Sequence, residues 1–163
     1  MQAQTKKNTM RITVCAIGRM RDKNERALAD DYLSRAQALG RNLGITDIKT
    51  IELDPKPTRE LEGEALLAAL PDNAFIIAMD ETGKQRPSRD LAKWLDSLKD
   101  GTHRDIAFVI GGADGHSAAV KTKANATLSL GAMTWPHMLA RIMLLEQVYR
   151  AISILARHPY HRD

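Results

Sequence analysis

Five short runs of strand character punctuate a chain that otherwise carries helical periodicity, and this alternation restricts the fold more than any other feature. The runs are ITVCAIG (Ile12–Gly18), ITDIKTIEL (Ile45–Leu53), AFIIAMD (Ala74–Asp80), IAFVIGG (Ile106–Gly112) and ATLSL (Ala126–Leu130). The first, third and fourth are almost wholly apolar, the pattern of strands covered on both faces. Between the runs lies a helix over Glu25–Leu39, with Leu28, Tyr32, Ala36 and Leu39 at helical spacing, and another over Arg59–Leu70, stopped by Pro71. A third covers about Ser88–Leu98 with Ser88 as its N-cap, a short one follows near Ser117–Ala124, and a long one runs over His137–Leu155. Strands alternating with helices predict an α/β fold with a largely parallel sheet and helices on both faces.

At 163 residues, 44% of them hydrophobic, the chain suffices for one domain with a real core, read here as residues 10–163. Residues 1–9, MQAQTKKNT, read as a flexible N-terminal extension without the apolar segment of a secretory signal. No apolar run approaches the roughly 20 residues of a membrane span, so no membrane partner is expected. The single cysteine, Cys15, excludes an internal disulfide and a cysteine-based zinc site, which points to the cytoplasm. A net charge of +4 suits a nucleic-acid partner and suits a merely solvated basic surface equally well.

The last helix carries two adjacent apolar stripes: Leu139, Ile142, Leu145, Tyr149 and Ile152, and beside them Leu144, Val148, Ala151 and Leu155. A sheet covers one. The second either wedges into its own monomer or meets a partner, most simply an identical subunit about a two-fold axis.

In parallel sheets ligands bind at the carboxyl ends of strands. That rule selects the loop after Asp80, the glycine-rich GGADGHS (Gly111–Ser117) and LGAMTWP (Leu130–Pro136), whose Ala132, Met133 and Trp135 are unusually apolar for a turn and suit a slot for a flat ring. Neither a P-loop nor GxGxxG is present, which disfavours the familiar nucleotide folds. The chain closes on RHPYHRD, dense in groups that bind anions or move protons. His158 and His161 are spaced HxxH, with His116, His137 and Asp163 as conceivable further ligands, but no HExxH or Cys/His array accompanies them, and no metal is expected.

Taken together, AMDETGK, FVIGGADGH, SLGAMTWPHMLARIMLLEQVYRA and the terminal HPYHR resemble the large-subunit ribosomal RNA methyltransferase H family, SPOUT-class enzymes, from about Ile12 to the last residue. The resemblance implies a SPOUT-type α/β trefoil knot, S-adenosylmethionine as cofactor, and a homodimer. It also implies methylation at N3 of a pseudouridine in helix 69 of 23S ribosomal RNA, within the assembled 70S ribosome. Matched motif to motif, the cofactor residues are Met79, Gly111, Leu130, Gly131, Ala132, Met133, Thr134 and Trp135. The chain departs from the family in GGADG, where relatives commonly show GGPEG, and in Met79, where leucine is frequent.

Such a substrate needs a ring proton removed and a developing negative charge held. Tyr160, His161 and Arg162 form the expected catalytic group, with Arg162 as anion stabiliser, His161 as base and Tyr160 as a stacking or relay group. Arg141, Arg150 and Arg157 are candidate RNA contacts, as is the lysine of the ETGKQR loop. A tail following an interfacial helix would complete the partner's site. Two other readings remain: a nucleotide-binding module, and a catalytically silent ribosome-binding protein.

Overall fold

A computed structural model describes residues 8–163. Most of the expected extension, residues 1–7, lies outside the described residues; Asn8 donates a side-chain hydrogen bond to Asp100. Five strands, β1 (Met10–Ile17), β2 (Ile45–Leu53), β3 (Phe75–Met79), β4 (Asp105–Ile110) and β5 (Ala126–Leu128), form one parallel sheet in the order β2-β1-β4-β3-β5. Helices α1 (Lys23–Gly40), α2 (Arg59–Ala69), α3 (Ser88–Lys99), α4 (Ala118–Lys123) and α5 (His137–Leu155) connect and follow them. The expected α/β alternation is thus present throughout.

Local chemistry sets most helix starts. Asp22 accepts from the N–H groups of Asn24 and Glu25 to open α1, Thr58 accepts from Leu61 to open α2, and Ser117 accepts from Val120 to open α4. Ser88 is not a cap: α3 starts from Pro87, whose fixed φ suits a helix entry, and the Ser88 hydroxyl donates instead to Gln147 on α5 at 2.7 Å.

Alternation along the strands splits the core in two. Ile12, Val14, Ala16, Ile77, Ile106 and Phe108 face α1, α3 and α5, while Cys15, Ile17, Ile76, Ala78 and Val109 face Leu66 of α2 and Val120 of α4. Helix α5 lies against the sheet with α1 and α3 on either side. Its second stripe therefore needs no partner: Leu144, Val148 and Ala151 are fully buried within their own chain, and Leu155 is half-buried. Of the two readings of that stripe, the wedge within its own monomer is the one found, with α1 and α3 flanking it. Leu139, from the first stripe, is the exposed exception at 42%.

Near β5 the chain passes through itself. The Asp80 N–H donates to the Leu128 carbonyl at 3.0 Å, on the β3 side, while the Ser129 N–H donates to the Lys84 carbonyl at 2.9 Å, on the other. Gln85 pairs with Ser129 as a parallel bridge. Residues 80–85 thus wrap around Leu128–Ser129, and the chain emerging from α4 on one face threads between β3 and this loop to reach α5 on the opposite face. That crossing is the one a trefoil knot requires, an exception to the rule that chains do not thread loops.

Candidate active site

Three loops meet at the carboxyl ends of β3, β4 and β5, and the threaded neck Leu128–Gly131 divides the space there into two clefts. The first, the loop cleft, has a volume of about 600 Å³, within the roughly 300–1,000 Å³ of small-molecule sites. Met79, Gly111, Leu130, Gly131, Met133, Thr134 and Trp135 all line it; Ala132, the eighth expected residue, is exposed and does not. Residues from three separate loops, far apart in sequence, are thereby brought together.

Two glycines have different reasons to be there. A Cβ on Gly111 would stand 2.9 Å from the Gly115 backbone, so the close turn itself excludes a side chain. Gly131 adopts φ +121° and a Cβ there would meet nothing within 4 Å. Its open side faces cleft volume, where a ligand can approach the backbone.

The cleft also holds groups that motif matching did not select. Asp80 Oδ1 accepts from the Thr82 N–H at 2.9 Å and the Thr82 hydroxyl at 2.8 Å, and these bonds hold its carboxyl below the usual range. His116 is buried, its Nε2–H donates to the Met79 carbonyl at 3.0 Å, and burial pushes its pKa down, so it is neutral at pH 7. His137 donates to the Ile17 carbonyl at 2.9 Å and is likewise lowered by burial. Asp80 was legible as a strand-end residue; nothing in the spacing marked the two histidines as wall and anchor.

Arg141 is not an RNA contact. It is 1% exposed, and its guanidinium donates to Glu52 at 2.8 Å and to the carbonyls of Ile17 and Gly18 at 3.2 and 2.9 Å. Glu52 also accepts from the Met20 N–H at 2.6 Å and from Arg26. Burial pushes the Glu52 carboxyl up, but the Met20 and Arg26 hydrogen bonds outweigh it and keep the group ionised. The cluster fastens the start of α5, and hence the Leu130–Pro136 loop, to the ends of β1 and β2.

The tail lies on the other side of the neck. Tyr160 lines a second cleft of about 660 Å³ with Tyr32, Arg86, Glu146 and Arg150, and does not line the loop cleft. Its ring packs 4.5 Å from that of Tyr149, its hydroxyl donates to Glu146 Oε1 at 2.8 Å, and the Arg150 guanidinium sits 4.8 Å over it. Burial and then the Glu146 bond push the Tyr160 phenol upward, so it stays protonated. Arg150 donates to Glu146 and, at 3.2 Å, to His161 Nδ1, which puts the ring proton of neutral His161 on Nε2, 3.3 Å from Asp163. Arg157 and Arg162 are exposed, with no side-chain partner among the described residues. Tyr160 and His161 therefore cluster around Arg150, whereas Arg162 is free.

The thiol of Cys15 is buried in β1 and pushed up to about 11 by that burial, which removes it as a nucleophile. Among the described residues no group of three or more His, Cys, Asp or Glu side chains could hold a metal ion, and no helix is long and apolar enough to cross a membrane.

The model of a family described as "Predicted SPOUT methyltransferase" matches residues 10–161. The chain is 48% identical over 155 residues to the ribosomal RNA large subunit methyltransferase H of Caulobacter sp. strain K31, covering 94% of this chain and 100% of that one. It is 49% identical over 155 residues to the protein of the same name from Phenylobacterium zucineum, with the same coverage. Among solved structures it resembles a probable methylase family protein from Haemophilus influenzae Rd KW20, with a TM-score of 0.50, 13% identity, and coverage of 90% of this chain and 66% of that one. This chain thus spans just under two thirds of that solved structure, a likeness of fold alone.

Proposed function

The chain belongs to the SPOUT methyltransferase family, and from that premise we propose that it is an S-adenosylmethionine-dependent methyltransferase of large-subunit ribosomal RNA. Its target in this reading is N3 of a pseudouridine in helix 69 of 23S ribosomal RNA. It acts in the cytoplasm on the assembled ribosome, as a homodimer of single SPOUT domains spanning residues 10–163. The observation that carries the proposal is the convergence of seven expected cofactor residues around one cleft beside the threaded neck.

The loop cleft suits the donor. Leu130, Met133 and Trp135 offer an apolar wall for a flat purine ring, Thr134 a hydroxyl, and Gly131 an open backbone face. When bound, S-adenosylmethionine supplies a methyl group already electrophilic at its sulfonium. The chain's task is to place that methyl in line with the attacking nitrogen, a gain that comes from positioning. With Ala132 outside the lining, its side chain is assigned no donor contact.

On the acceptor side, the uracil-type ring must lose its N3 proton, and charge spreads onto the flanking carbonyl oxygens. Arg162 is the anion stabiliser, because its guanidinium is exposed and uncommitted. His161 is the base; its Nδ1 lone pair is engaged by Arg150, so the tail must leave this contact, or shift within it, before that nitrogen can take a proton. Tyr160, kept as a phenol, stacks on or hydrogen-bonds the base and does not act as a phenolate. Arg150 and Arg157 remain the RNA-contact candidates, Arg157 the more available of the two.

Since Tyr160 does not line the loop cleft of its own chain, the tail completes the site of the partner subunit in this reading. The test is methyl transfer from labelled donor to assembled ribosomes, free subunits and naked RNA in parallel. Label in 23S RNA only with ribosomes or large subunits supports the reading; no transfer to any substrate by a correctly folded protein contradicts it.

A further inference from the structure

We propose that Asp80 makes the loop cleft selective for a positively charged ligand, so that it holds the sulfonium donor more tightly than the neutral thioether left after transfer. The inference rests on the reading of this cleft as the donor site. It concerns a residue that sits outside the expected cofactor set.

Asp80 is unusually well fixed for a loop residue. Its N–H donates to the Leu128 carbonyl at 3.0 Å, its own carbonyl accepts from the Gly83 N–H at 3.0 Å, and Oδ1 takes both Thr82 donors. The backbone is thus pinned at the point where the chain threads, and one carboxylate oxygen is committed. Oδ2 has no hydrogen-bond partner among the described residues, and the carboxylate has no Lys, Arg or His nitrogen within ion-pair distance there. None of the other charged or titratable groups lining the cleft pairs with it: His116 and His137 have pKa values lowered by burial, Lys121 attracts it from an exposed position outside ion-pair distance, and Glu81 and Asp114 add negative charge at the rim.

A preorganised, unpaired carboxylate distinguishes ligands that differ by one charge. During transfer the S–CH3 bond breaks and its electron pair stays on sulfur, while the nitrogen left by the departing N3 proton forms the new N–CH3 bond. The sulfur therefore changes from cation to neutral thioether. Attraction to Asp80 is present before transfer and gone after it, which favours donor binding and product release together.

The test is equilibrium binding of S-adenosylmethionine, S-adenosylhomocysteine and the amine analogue sinefungin, which carries a positive charge near the sulfur position, to the full-length protein and to Asp80→Asn. Asparagine keeps an oxygen for Thr82 and removes only the charge; unfolding curves and circular dichroism confirm an intact fold. We expect the unsubstituted protein to bind both cations about tenfold more tightly than the thioether, a free-energy difference of about 1.4 kcal/mol. In Asp80→Asn that margin falls to about twofold or less, with thioether affinity nearly unchanged. Asp72→Asn removes one exposed charge before β3, at the opposite end of that strand from the cleft, as a control and leaves the margin intact. Equal weakening of all three ligands, an undiminished margin in Asp80→Asn, or loss of the margin in Asp72→Asn overturns the role of Asp80. If the unsubstituted protein binds none of the three, the donor reading of the cleft falls, and this inference with it.

Discussion

The loops of the donor cleft and the tail that carries Tyr160 are held by different kinds of bond. The loops are continuations of β3, β4 and β5, tied by backbone hydrogen bonds such as Asp80 to Leu128 and Ser129 to Lys84, and one of them passes through another. They cannot move far without undoing the sheet end. From Pro159 onward the tail is held largely by side chains: the Tyr160 hydroxyl on Glu146, the His161 ring on Arg150, and Asp163 on Arg89. The Tyr160 and His161 bonds, each to a charged partner, contribute about 1.5–3 kcal/mol net apiece and the exposed Arg89–Asp163 pair adds little, so the tail can detach without disturbing the sheet. The loop cleft, proposed as the donor side, is preorganised by topology, while the tail, proposed to act on the RNA, is a segment that can be redeployed to another site.

Removing residues 160–163 probes this contrast most severely. We expect methyl transfer to fall by about a thousandfold or more, since the proton acceptor and the anion-stabilising guanidinium go together. Donor affinity should change less than about threefold, as read by titration calorimetry. A parallel loss of donor affinity would show that the two regions are one site within a single chain.

Next in size is Arg141→Ala, which leaves Glu52 without the buried partner that fixes the start of α5. We expect a loss of about 3–5 kcal/mol in denaturant unfolding. Arg157→Ala, by contrast, should leave stability within about 0.5 kcal/mol and weaken ribosome binding a few-fold, more at low salt than at high. Equal and small stability effects would contradict the burial of Arg141.

A smaller effect is expected from Gly131→Val. The φ of +121° is a region that a β-branched residue enters at a cost of about 1–3 kcal/mol, at a position facing cleft volume. Donor affinity should fall roughly tenfold, while docking of the tail, followed by protection of the 157–163 segment from proteolysis, is unchanged.

The smallest is a pH effect confined to the loop side. His116 and His137 have pKa values lowered by burial, so below their unfolded value of about 6.5 the unfolded chain binds more protons than the folded one. Stability is therefore complete above that pH and declines as pH falls from 7 to 5. His116→Leu should flatten part of the decline in urea titrations across that range; an unchanged slope would remove His116 as a contributor.

Much of this was legible in the residues, for identifiable reasons. Nearly continuous apolar runs located β1, β3 and β4, the three central strands of the sheet, while the edge strands β2 and β5 were found from strand character in more polar runs. The carboxyl-end rule led directly to Asp80, Gly111 and Leu130–Trp135. The second stripe of α5 was visible as apolar, but periodicity cannot say whether α1 and α3 or another subunit will cover it. Arg141 was misjudged because residue type alone suggests solvent; its place one residue before Ile142 and four before Leu145, on the buried side, was the available signal. The committed state of Tyr160 and His161 was out of reach, since it depends on Glu146 and Arg150, 14 and 11 residues upstream of them respectively, on a helix whose polar side looked merely solvated.

The central claim, that the loops of one chain and the tail of its partner form each active site, is tested most directly by complementation. A chain lacking residues 160–163 and a Gly131→Val chain are each assayed alone, then co-refolded in equal amounts and assayed on ribosomes, at a donor concentration well below the wild-type Kd, where a roughly tenfold loss of donor affinity leaves Gly131→Val about a tenth of wild-type transfer. The account predicts that the mixture recovers about one quarter of wild-type activity, because about half the dimers are mixed and each holds one intact pairing. Mixed dimers that form but show no more activity than the two variants assayed separately would contradict it.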